Sequence, residues 1–217
     1  MAEITMPVTK RVRLTGLERR EKILGAAAAL FAAKGFHETS VSELAEASGI
    51  SKIVLYDHFA SKEELFIELT RSARDGLIAR GREKMAAGGS LEQRLRSAVE
   101  TFFAFVEEEP ALARVLLLAP RGEPELRDLV AAIQEQATAG LAEILSGEAS
   151  LLEGVPDRDE RLLLYMEFVK SGLHGLVEWW ARHPETPRVR LVDTAMEVAW
   201  NGFASFSEGQ VSSPKRR

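Results

Sequence analysis

The sequence predicts an all-helical protein, with a small amino-terminal helix-turn-helix unit followed by a larger helical domain, about nine helices in all. Apolar residues recur at three- and four-residue steps along nearly the whole chain, and no segment shows the sustained alternation of a half-buried strand. Helix-start signals, in which Ser or Thr is followed three residues later by Glu or Gln, precede several of these segments.

Composition places the chain among ordinary globular proteins and restricts its chemistry. Of the 217 residues, 46% are hydrophobic and 28% are charged, which is enough apolar material for a sizeable core. There is no cysteine, so disulfides, thiolate metal sites and cysteine nucleophiles are excluded. The first residues lack the apolar segment of a signal peptide, and no apolar run approaches the roughly 20 residues that span a bilayer. We therefore expect a cytoplasmic protein with no membrane partner.

The charge of the chain is unevenly distributed. The formal net charge is −5, which taken alone argues against a nucleic-acid partner, because phosphate affinity depends on Lys and Arg. Residues 10–22 are nevertheless locally basic, since only Glu18 and Glu21 oppose the cations there. Those cations are Lys10, Arg11, Arg13, Arg19, Arg20 and Lys22. Residues 1–14 are equally compatible with a DNA-contacting arm and with a solvated leader.

The first four helices are marked by their amino-terminal caps. Thr15 and Ser40 open capping boxes with Glu18 and Glu43, because each hydroxyl can accept from the backbone N–H three residues on while the carboxylate returns the bond. Ser51 caps a third helix that runs through Phe59, and Ser61 opens a fourth capping box with Glu64. Gly35 and Gly49 supply the first two helix ends. Three helix starts within about twenty residues predict tight helical hairpins.

Residues 39–65 predict a helix-turn-helix, whose second helix is narrow enough to enter the major groove of DNA. One face of the unit is apolar and is expected to point inward: Val41, Leu44, Ala45, Ile50, Leu55 and Phe59. The other face is expected to point outward: Lys52, Ile53, Val54, Tyr56, Asp57 and His58.

The carboxyl-terminal part carries two long apolar seams, after sparser breaks at glycines and prolines and a further capping box at Ser90. One seam is Leu162, Met166, Val169, Leu173, Leu176 and Trp180, and the other is Val192, Met196, Ala199, Phe203 and Phe206. Small residues beside both seams would permit close helix approach between two chains. Dimer contacts are then expected at Leu173, Leu176, Trp180, Met196, Ala199 and Phe203. Periodicity favours intramolecular core and dimer interface equally.

A continuous stretch of residues 20 to about 65 resembles the signature of the TetR family of transcriptional regulators. It contains ILGAAAALFAAKGF, then a Ser-Val helix start, Ser-Gly-Ile-Ser-Lys, Leu-Tyr-Asp-His-Phe and Ser-Lys-Glu. A helix-turn-helix alone is a weak signal, but this order of motifs before a helical remainder of suitable length is specific. Beyond residue 70 the resemblance rests on helix number and layout.

Carried over residue by residue, the resemblance implies two sets of DNA contacts. Ser40, Tyr56, His58 and Lys62 would grip phosphates, which sets register without reading sequence. Lys52, Ile53 and Val54 fall where the family's recognition helix meets base edges, with Lys52 donating to guanine and the β-branched side chains touching thymine methyls. The family often has Gly and Thr where Ile53 and Val54 stand, so base preference is unsettled. Asp57 would repel phosphate, and we expect a structural or pairing role for it.

The resemblance also implies a small-molecule effector in the larger domain. Its binding would shift the fourth helix and so change the separation of the two DNA-binding units of the dimer. Candidate pocket residues are those where aromatic and polar groups come together on three helices: Phe102, Phe103, Leu117, Tyr165, Phe168, His174 and Trp179. A single aromatic residue among them is more often plain core than ligand wall, and His174 is more often a satisfied interior or surface histidine than a ligand group. The apolar bias favours a hydrophobic or amphipathic effector.

Three other functions remain open at this point. One is another helix-turn-helix regulator, including an activator, since the sequence does not give the sign of regulation. An enzyme finds no support, since the four histidines are not at metal-ligand spacing and no phosphate loop or Gly-x-Ser-x-Gly motif is present. A helical scaffold that does not read DNA is opposed by the grouping of Tyr56, His58 and Lys62.

We therefore expect a homodimeric repressor on a roughly palindromic double-stranded operator, without metal or cofactor, released by an unknown ligand. The expected parts are a flexible basic arm (residues 1–14), a helix-turn-helix DNA-binding domain (15–65), a helical effector-binding and dimerisation domain (66–210) and a flexible tail (211–217).

Overall fold

The computed structural model describes residues 15–118, 126–148 and 156–207, with side chains up to residue 201. The predicted arm, residues 1–14, and tail, residues 211–217, lie outside the described residues. The described part is helical throughout, which confirms the predicted fold class. Its helices are α1 Gly16–Lys34, α2 Val41–Ser48, α3 Lys52–His58, α4 Lys62–Ala86, α5 Leu91–Glu108, α6 Pro110–Ala113, a π-helical turn Arg114–Leu118, α7 Arg127–Ser146, α8 Arg158–Trp180 and α9 Arg188–Ser207.

The predicted helix starts are confirmed at atomic detail. Thr15, Ser40 and Ser90 each form a complete capping box, and Ser51 accepts from the backbone N–H of Val54. Ser61 also caps its helix, but the reciprocal bond differs from a capping box. Glu64 accepts instead from the N–H of Ala60, 2.5 Å away, because the chain enters α4 with that N–H in front of the carboxylate.

The first three helices close around an aromatic core together with the first two turns of α4. Phe31, Phe36 and Phe66 form a triangle with ring centroids 5.4–5.7 Å apart, the spacing of favourable aromatic pairs. Two buried residues of the other domain, Val115 in the π-helical turn and Leu126 just before α7, belong to the same cluster. This core therefore extends past residue 65, and residues of the larger domain complete it.

The larger domain packs α4, α5, α7, α8 and α9 side by side. Helices α4 and α7 run parallel, since Arg74, Ile78 and Arg82 meet Gln136, Gly140 and Glu143 in turn. The pattern places the start of both helices near the aromatic core and their ends far from it. Within the described residues, no helix is both long enough and apolar enough to cross a membrane.

The apolar seams of α8 and α9 face the inside of their own chain. Leu173, Leu176 and Trp180 pack against an intrachain cluster that includes buried Met196, and Ala199 lines the cavity described below. The 3.5-residue repeat is thus satisfied within one chain, which favours the intramolecular core among the two interpretations that periodicity left open, and the dimer contacts at these residues stay a prediction. The side chain of Phe203 lies outside the described residues.

Candidate DNA-reading helix and ligand cavity

Helices α2 and α3 form a compact helix-turn-helix. Gly49 ends α2 with φ 67° and ψ 30°, a left-handed conformation that suits glycine, and Ser51 opens α3 two residues later. The predicted inward face is confirmed: Leu44, Ala45, Leu55 and Phe59 are buried, while Val41 and Ile50 pack partly buried against them. The unit is thus held rigid by its own small core.

The outer face of α3 exposes four adjacent side chains. Ile53 is 76% exposed and Tyr56 is 51% exposed, and Lys52 and Asp57 are exposed beside them. Val54 and His58, also predicted to point outward, are half-buried. Ile53 is the most exposed large apolar side chain among the described residues.

Ser40 and Lys62, the other predicted phosphate contacts, differ in availability. Ser40 is exposed at the start of α2, but its hydroxyl accepts from the N–H of Glu43 and donates to the Glu43 carboxylate, so a phosphate would have to replace that carboxylate as its acceptor. Lys62 turns away from solvent instead. Its Nζ donates to the carbonyls of Phe36, His37 and Thr39 at 2.8, 3.5 and 3.0 Å and lies 4.3 Å from the Phe36 ring centre. The ammonium has three N–H groups and three acceptors. Lys62 therefore ties the loop after α1 to α4, and the structure does not support it as a phosphate grip.

Arg20 is a structural contact that the sequence did not single out. Its guanidinium lies 4.5 Å from the ring centre of Phe59, pairs with Glu68 at 3.0 Å and donates to the carbonyl of His58 at 3.4 Å. It therefore fixes the end of α3 against α1 and α4. The sequence showed only that Arg20 belongs to a basic segment, because the carbonyl of His58 that it binds is 38 residues away in the chain.

The first three helices and the first turns of α4 are called the reading unit from here on. Glu43 is its most perturbed carboxylate. A hydrogen bond from Lys34, followed by bonds from the backbone and side chain of Ser40, lowers the pKa of Glu43 from its ordinary value to about 2. The group is ionised under all ordinary conditions and holds the start of α2 in place. It serves the fold of the reading unit rather than chemistry.

The larger domain encloses an apolar cavity of about 160 Å³. Walls come from α4, the π-helical turn, α5, α7, α8 and α9, and along α4 they extend from Arg74 to Met85, about 16 Å at 1.5 Å per residue. An engineered apolar cavity of similar volume, about 150 Å³, admits benzene. This cavity is therefore large enough for a small organic ligand.

Three of the seven predicted pocket residues line this cavity: Phe102, Leu117 and His174. The other four do not. Phe103 is buried in the core beside it, and Tyr165 is half-buried against another cluster. Phe168 is 71% exposed and Trp179 is 39% exposed, on the outer face of α8. That assignment was wrong because one-dimensional periodicity does not say which face of a long helix is covered.

Polar groups gather at one end of the cavity. Arg74, Gln134, Lys170 and His174 line the end near the starts of α4 and α7, while Met85, Leu145 and Met166 line the far end. His174 stacks on Phe102 with ring centres 6.3 Å apart. Sequence reasoning missed Arg74 and Lys170, since a charged residue on a long helix is normally solvated, and only their positions on inward faces would have identified them.

An ion pair lies next to Met85, which lines the far end of the cavity. Arg94 of α5 binds both carboxylate oxygens of Glu148, at 2.6 and 3.0 Å, and donates to the carbonyl of Met85 at 2.8 Å. No three His, Asp or Glu side chains of the described ranges meet in a group that would hold a metal ion.

Comparison with known proteins agrees with this architecture. Residues 23–69 match the family model of bacterial regulatory proteins, tetR family. The transcriptional activator FasR of Mycolicibacterium smegmatis is 28% identical over 193 residues, which cover 88% of this chain and 86% of FasR. The transcriptional repressor KstR2 of Rhodococcus jostii is also 28% identical, over 86% of this chain and 92% of its own.

Among solved structures, the fatty acid degradation regulator FadR of Bacillus halodurans superposes with a TM-score of 0.72 at 23% identity, covering 83% of this chain and 94% of FadR. This likeness shows that the fold of both domains is shared. The amino-terminal family match and the two transcriptional regulators that are similar along most of the chain lead to one conclusion: the chain belongs to the TetR family and is a DNA-binding transcriptional regulator.

Proposed function

We propose that the chain is a homodimeric, ligand-controlled regulator in which the exposed face of α3 reads a palindromic operator. The observation that carries this is the 76% exposure of Ile53 on a capped, well-supported recognition helix. Thymine carries a methyl group in the major groove, and an exposed aliphatic side chain is the natural contact for it. Lys52, next to it, is placed to donate to guanine.

Phosphate contacts are assigned to Ser40 and Tyr56, with His58 in a smaller role because it is half-buried. The Tyr56 ring lies at the edge of α3 with its hydroxyl available to a phosphate oxygen, which is a common use of a partly exposed tyrosine. Val54 is half-buried and contributes less to base reading than Ile53. These contacts position the helix, and Ile53 and Lys52 give it sequence preference.

The dimer is proposed to form through the outer face of α8 rather than through its inner seam. Leu164, Phe168, Gly172, Gly175 and Trp179 are all exposed and follow one another at steps of three and four. Val198 of the adjoining α9 is exposed as well. A contiguous apolar stripe with glycines in its middle permits two copies of α8 to approach closely around a two-fold axis.

Ligand control is proposed to act through α4 and the π-helical turn. Leu69 of α4 and Val115 of the turn belong to the core of the reading unit, while Leu77, Leu116 and Leu117 of the same two elements line the cavity. A ligand that fits the cavity only when α4 shifts would have different affinities for the two states, which is the requirement for control. We propose that the unliganded form binds the operator and that the ligand releases it.

The test is fluorescence-anisotropy titration of the full chain against duplexes selected from a random pool, over a range of salt. Ile53→Ala should lower affinity for the selected duplex by about 5- to 100-fold with little effect on random DNA, since a lost base contact is worth about 1–3 kcal/mol. Tyr56→Phe should weaken both duplexes alike. Val189→Ala, at another exposed aliphatic position at the start of α9, is the matched control.

Equal affinity for selected and random duplexes, unchanged in the Ile53 variant, would contradict the proposal. Sedimentation of Phe168→Glu tests the dimer separately. This variant should be monomeric, whereas Val189→Glu should sediment like the original protein. A reporter gene downstream of the selected duplex distinguishes repression from activation.

A further inference from the structure

The polar end of the cavity contains an arginine whose hydrogen-bonding capacity is not filled. Arg74 is only 8% exposed and lines the cavity. Its Nε and Nη2 donate to Asp75 at 2.8 and 2.6 Å, and its Nη1 donates to Gln136. Since a guanidinium has five N–H groups, each terminal nitrogen retains one N–H without an acceptor among the described residues.

Lys170, on the opposite wall, is fully engaged. Its Nζ donates to the carbonyl of Gln134 at 3.0 Å, to Thr138 Oγ1 at 2.7 Å and to Glu167 Oε2 at 2.7 Å. These three acceptors use all three N–H groups of the ammonium. Lys170 therefore adds positive charge to this end of the cavity, while the donors available to a ligand are those of Arg74.

Both cations point inward and their carboxylates point outward. The side chains of Arg74 and Lys170 are 9% and 7% exposed, whereas those of Asp75 and Glu167 are 59% and 53% exposed. Water screens the carboxylates, and the cations lie beside an apolar space in which charge interactions are stronger. The polar end of the cavity therefore favours an anionic group, and a guanidinium can hold a carboxylate through two N–H groups at once.

The rest of the cavity offers a ligand only apolar contact. From Arg74 the α4 wall continues through Leu77, Ile78 and Gly81 to Met85, a stretch of helix about 16 Å long. A narrow cavity of about 160 Å³ with one polar end fits one hydrocarbon chain better than a broad ring system.

We propose that the cavity binds a single-chain carboxylate amphiphile of the fatty-acid type, with its carboxylate on Arg74 and its chain directed toward Met85. This inference rests on the proposed function of the cavity as a ligand site. It adds the ligand class, its orientation and the anchoring residue. The charged head then lies near the middle of α4, five residues after Leu69, which packs in the amino-terminal core.

The test is isothermal titration calorimetry of the full-length protein with decanoate, decyltrimethylammonium and decanoyl-coenzyme A. Decanoate should bind, and the cationic amphiphile of equal chain length should not. Arg74→Met should weaken decanoate binding by about 10- to 100-fold, the effect of a lost charge-assisted hydrogen bond. Arg82→Met, which changes an exposed arginine two turns later on α4, is the matched control and should bind as the original protein does.

Gly81→Leu tests the chain end independently of the charge. A Cβ at Gly81 meets no atom within 4 Å, so the variant should fold while filling the cavity, and it should lose decanoate binding. Gly76→Leu, on the same helix and outside the cavity lining, should retain it. Thermal unfolding of each variant confirms that it is folded.

Three results would overturn the inference: no decanoate binding, equal binding of the cationic amphiphile, or an Arg74→Met variant that binds like Arg82→Met. Tighter binding of decanoyl-coenzyme A than of decanoate would also overturn it, because a thioester lacks the carboxylate charge. Operator binding without any amphiphile is measured on the same samples. Its loss would contradict the proposed function, whereas absent decanoate binding with intact operator binding would contradict only this inference.

Discussion

The two ends of α4 lie in differently built surroundings. Its first turns enter a core in which Phe31, Phe36 and Phe66 touch one another and every large side chain is covered. Its last turns form the wall of a cavity of about 160 Å³. The reading unit is filled and the larger domain is not, and one helix joins them. A closely packed core holds its shape, whereas an underpacked one can admit a ligand and adjust.

The largest expected effect is a difference in unfolding free energy between two variants, each of which loses one aromatic ring from one of the two cores. Phe66→Ala should cost about 3–5 kcal/mol of unfolding free energy, because the buried ring leaves a void that its aromatic neighbours cannot fill. Phe102→Ala, which enlarges an existing cavity from a half-buried position, should cost clearly less. Urea denaturation followed by circular dichroism measures both. Equal losses of unfolding free energy would mean that the two cores are equally well packed.

A second experiment asks what Lys62 does in the reading unit. Lys62→Met should lower the free energy of unfolding by about 1–3 kcal/mol, since the carbonyls of Phe36 and Thr39 lose a charged donor. Lys22→Met, at an exposed position of α1, should leave stability nearly unchanged. Chemical denaturation measures the difference. Unaltered stability together with a smaller salt dependence of DNA binding would restore Lys62 as a phosphate contact.

A substitution that fills the cavity should raise the free energy of unfolding rather than lower it. Gly81→Leu should raise the free energy of unfolding by about 1 kcal/mol, because leucine is a better helix former than glycine and its side chain enters unoccupied apolar space. Differential scanning calorimetry would show a higher Tm than that of the original protein. A lower Tm would mean that the cavity wall cannot accept a side chain, and the larger domain would then be as closely packed as the reading unit.

The smallest effect is a pH dependence confined to the reading unit. The folded-state pKa of Glu43, about 2, lies below that of an unfolded glutamate, so ionised Glu43 stabilises the fold above about pH 4.5. That contribution is lost as the pH falls through the interval down to about 2. Stability should therefore decline less steeply between pH 5 and 2 in Glu43→Gln than in the original protein. Urea denaturation at each pH measures the free energy of unfolding. An equal decline of that free energy with pH in the two proteins would contradict the stabilising role of ionised Glu43.

Local signals in the sequence predicted more of this molecule than distant ones did. Caps at Thr15, Ser40 and Ser90 depend on neighbours three residues away, and all three were predicted correctly. The cavity depends on how α4, α5, α7, α8 and α9 are arranged, which no short pattern encodes. Phe168 and His174 illustrate the limit, since both lie on α8 and only His174 faces the cavity.

Charged residues were the hardest to place from sequence. Lys62 and Arg20 are basic residues near the predicted DNA face, and both serve intrachain contacts with groups that are remote in sequence. Arg74 lies in a polar stretch of α4 and is buried. Their roles depend on which carbonyl, ring or carboxylate the fold brings near, and that is settled only when the helices pack.

The π-helical turn Arg114–Leu118 has a bearing on how such regulators diversify. A π turn holds one residue more than an α turn, so deleting a single residue here restores a regular helix. Every side chain on one side of the deletion then rotates by roughly 100° relative to the other. Leu116 and Leu117 would leave the cavity wall while α1 to α3 keep their own sequence intact. The same rotation moves Val115 relative to the core that it shares with α1 to α4, so a one-codon deletion here would change the cavity wall and its contact with the amino-terminal helices together.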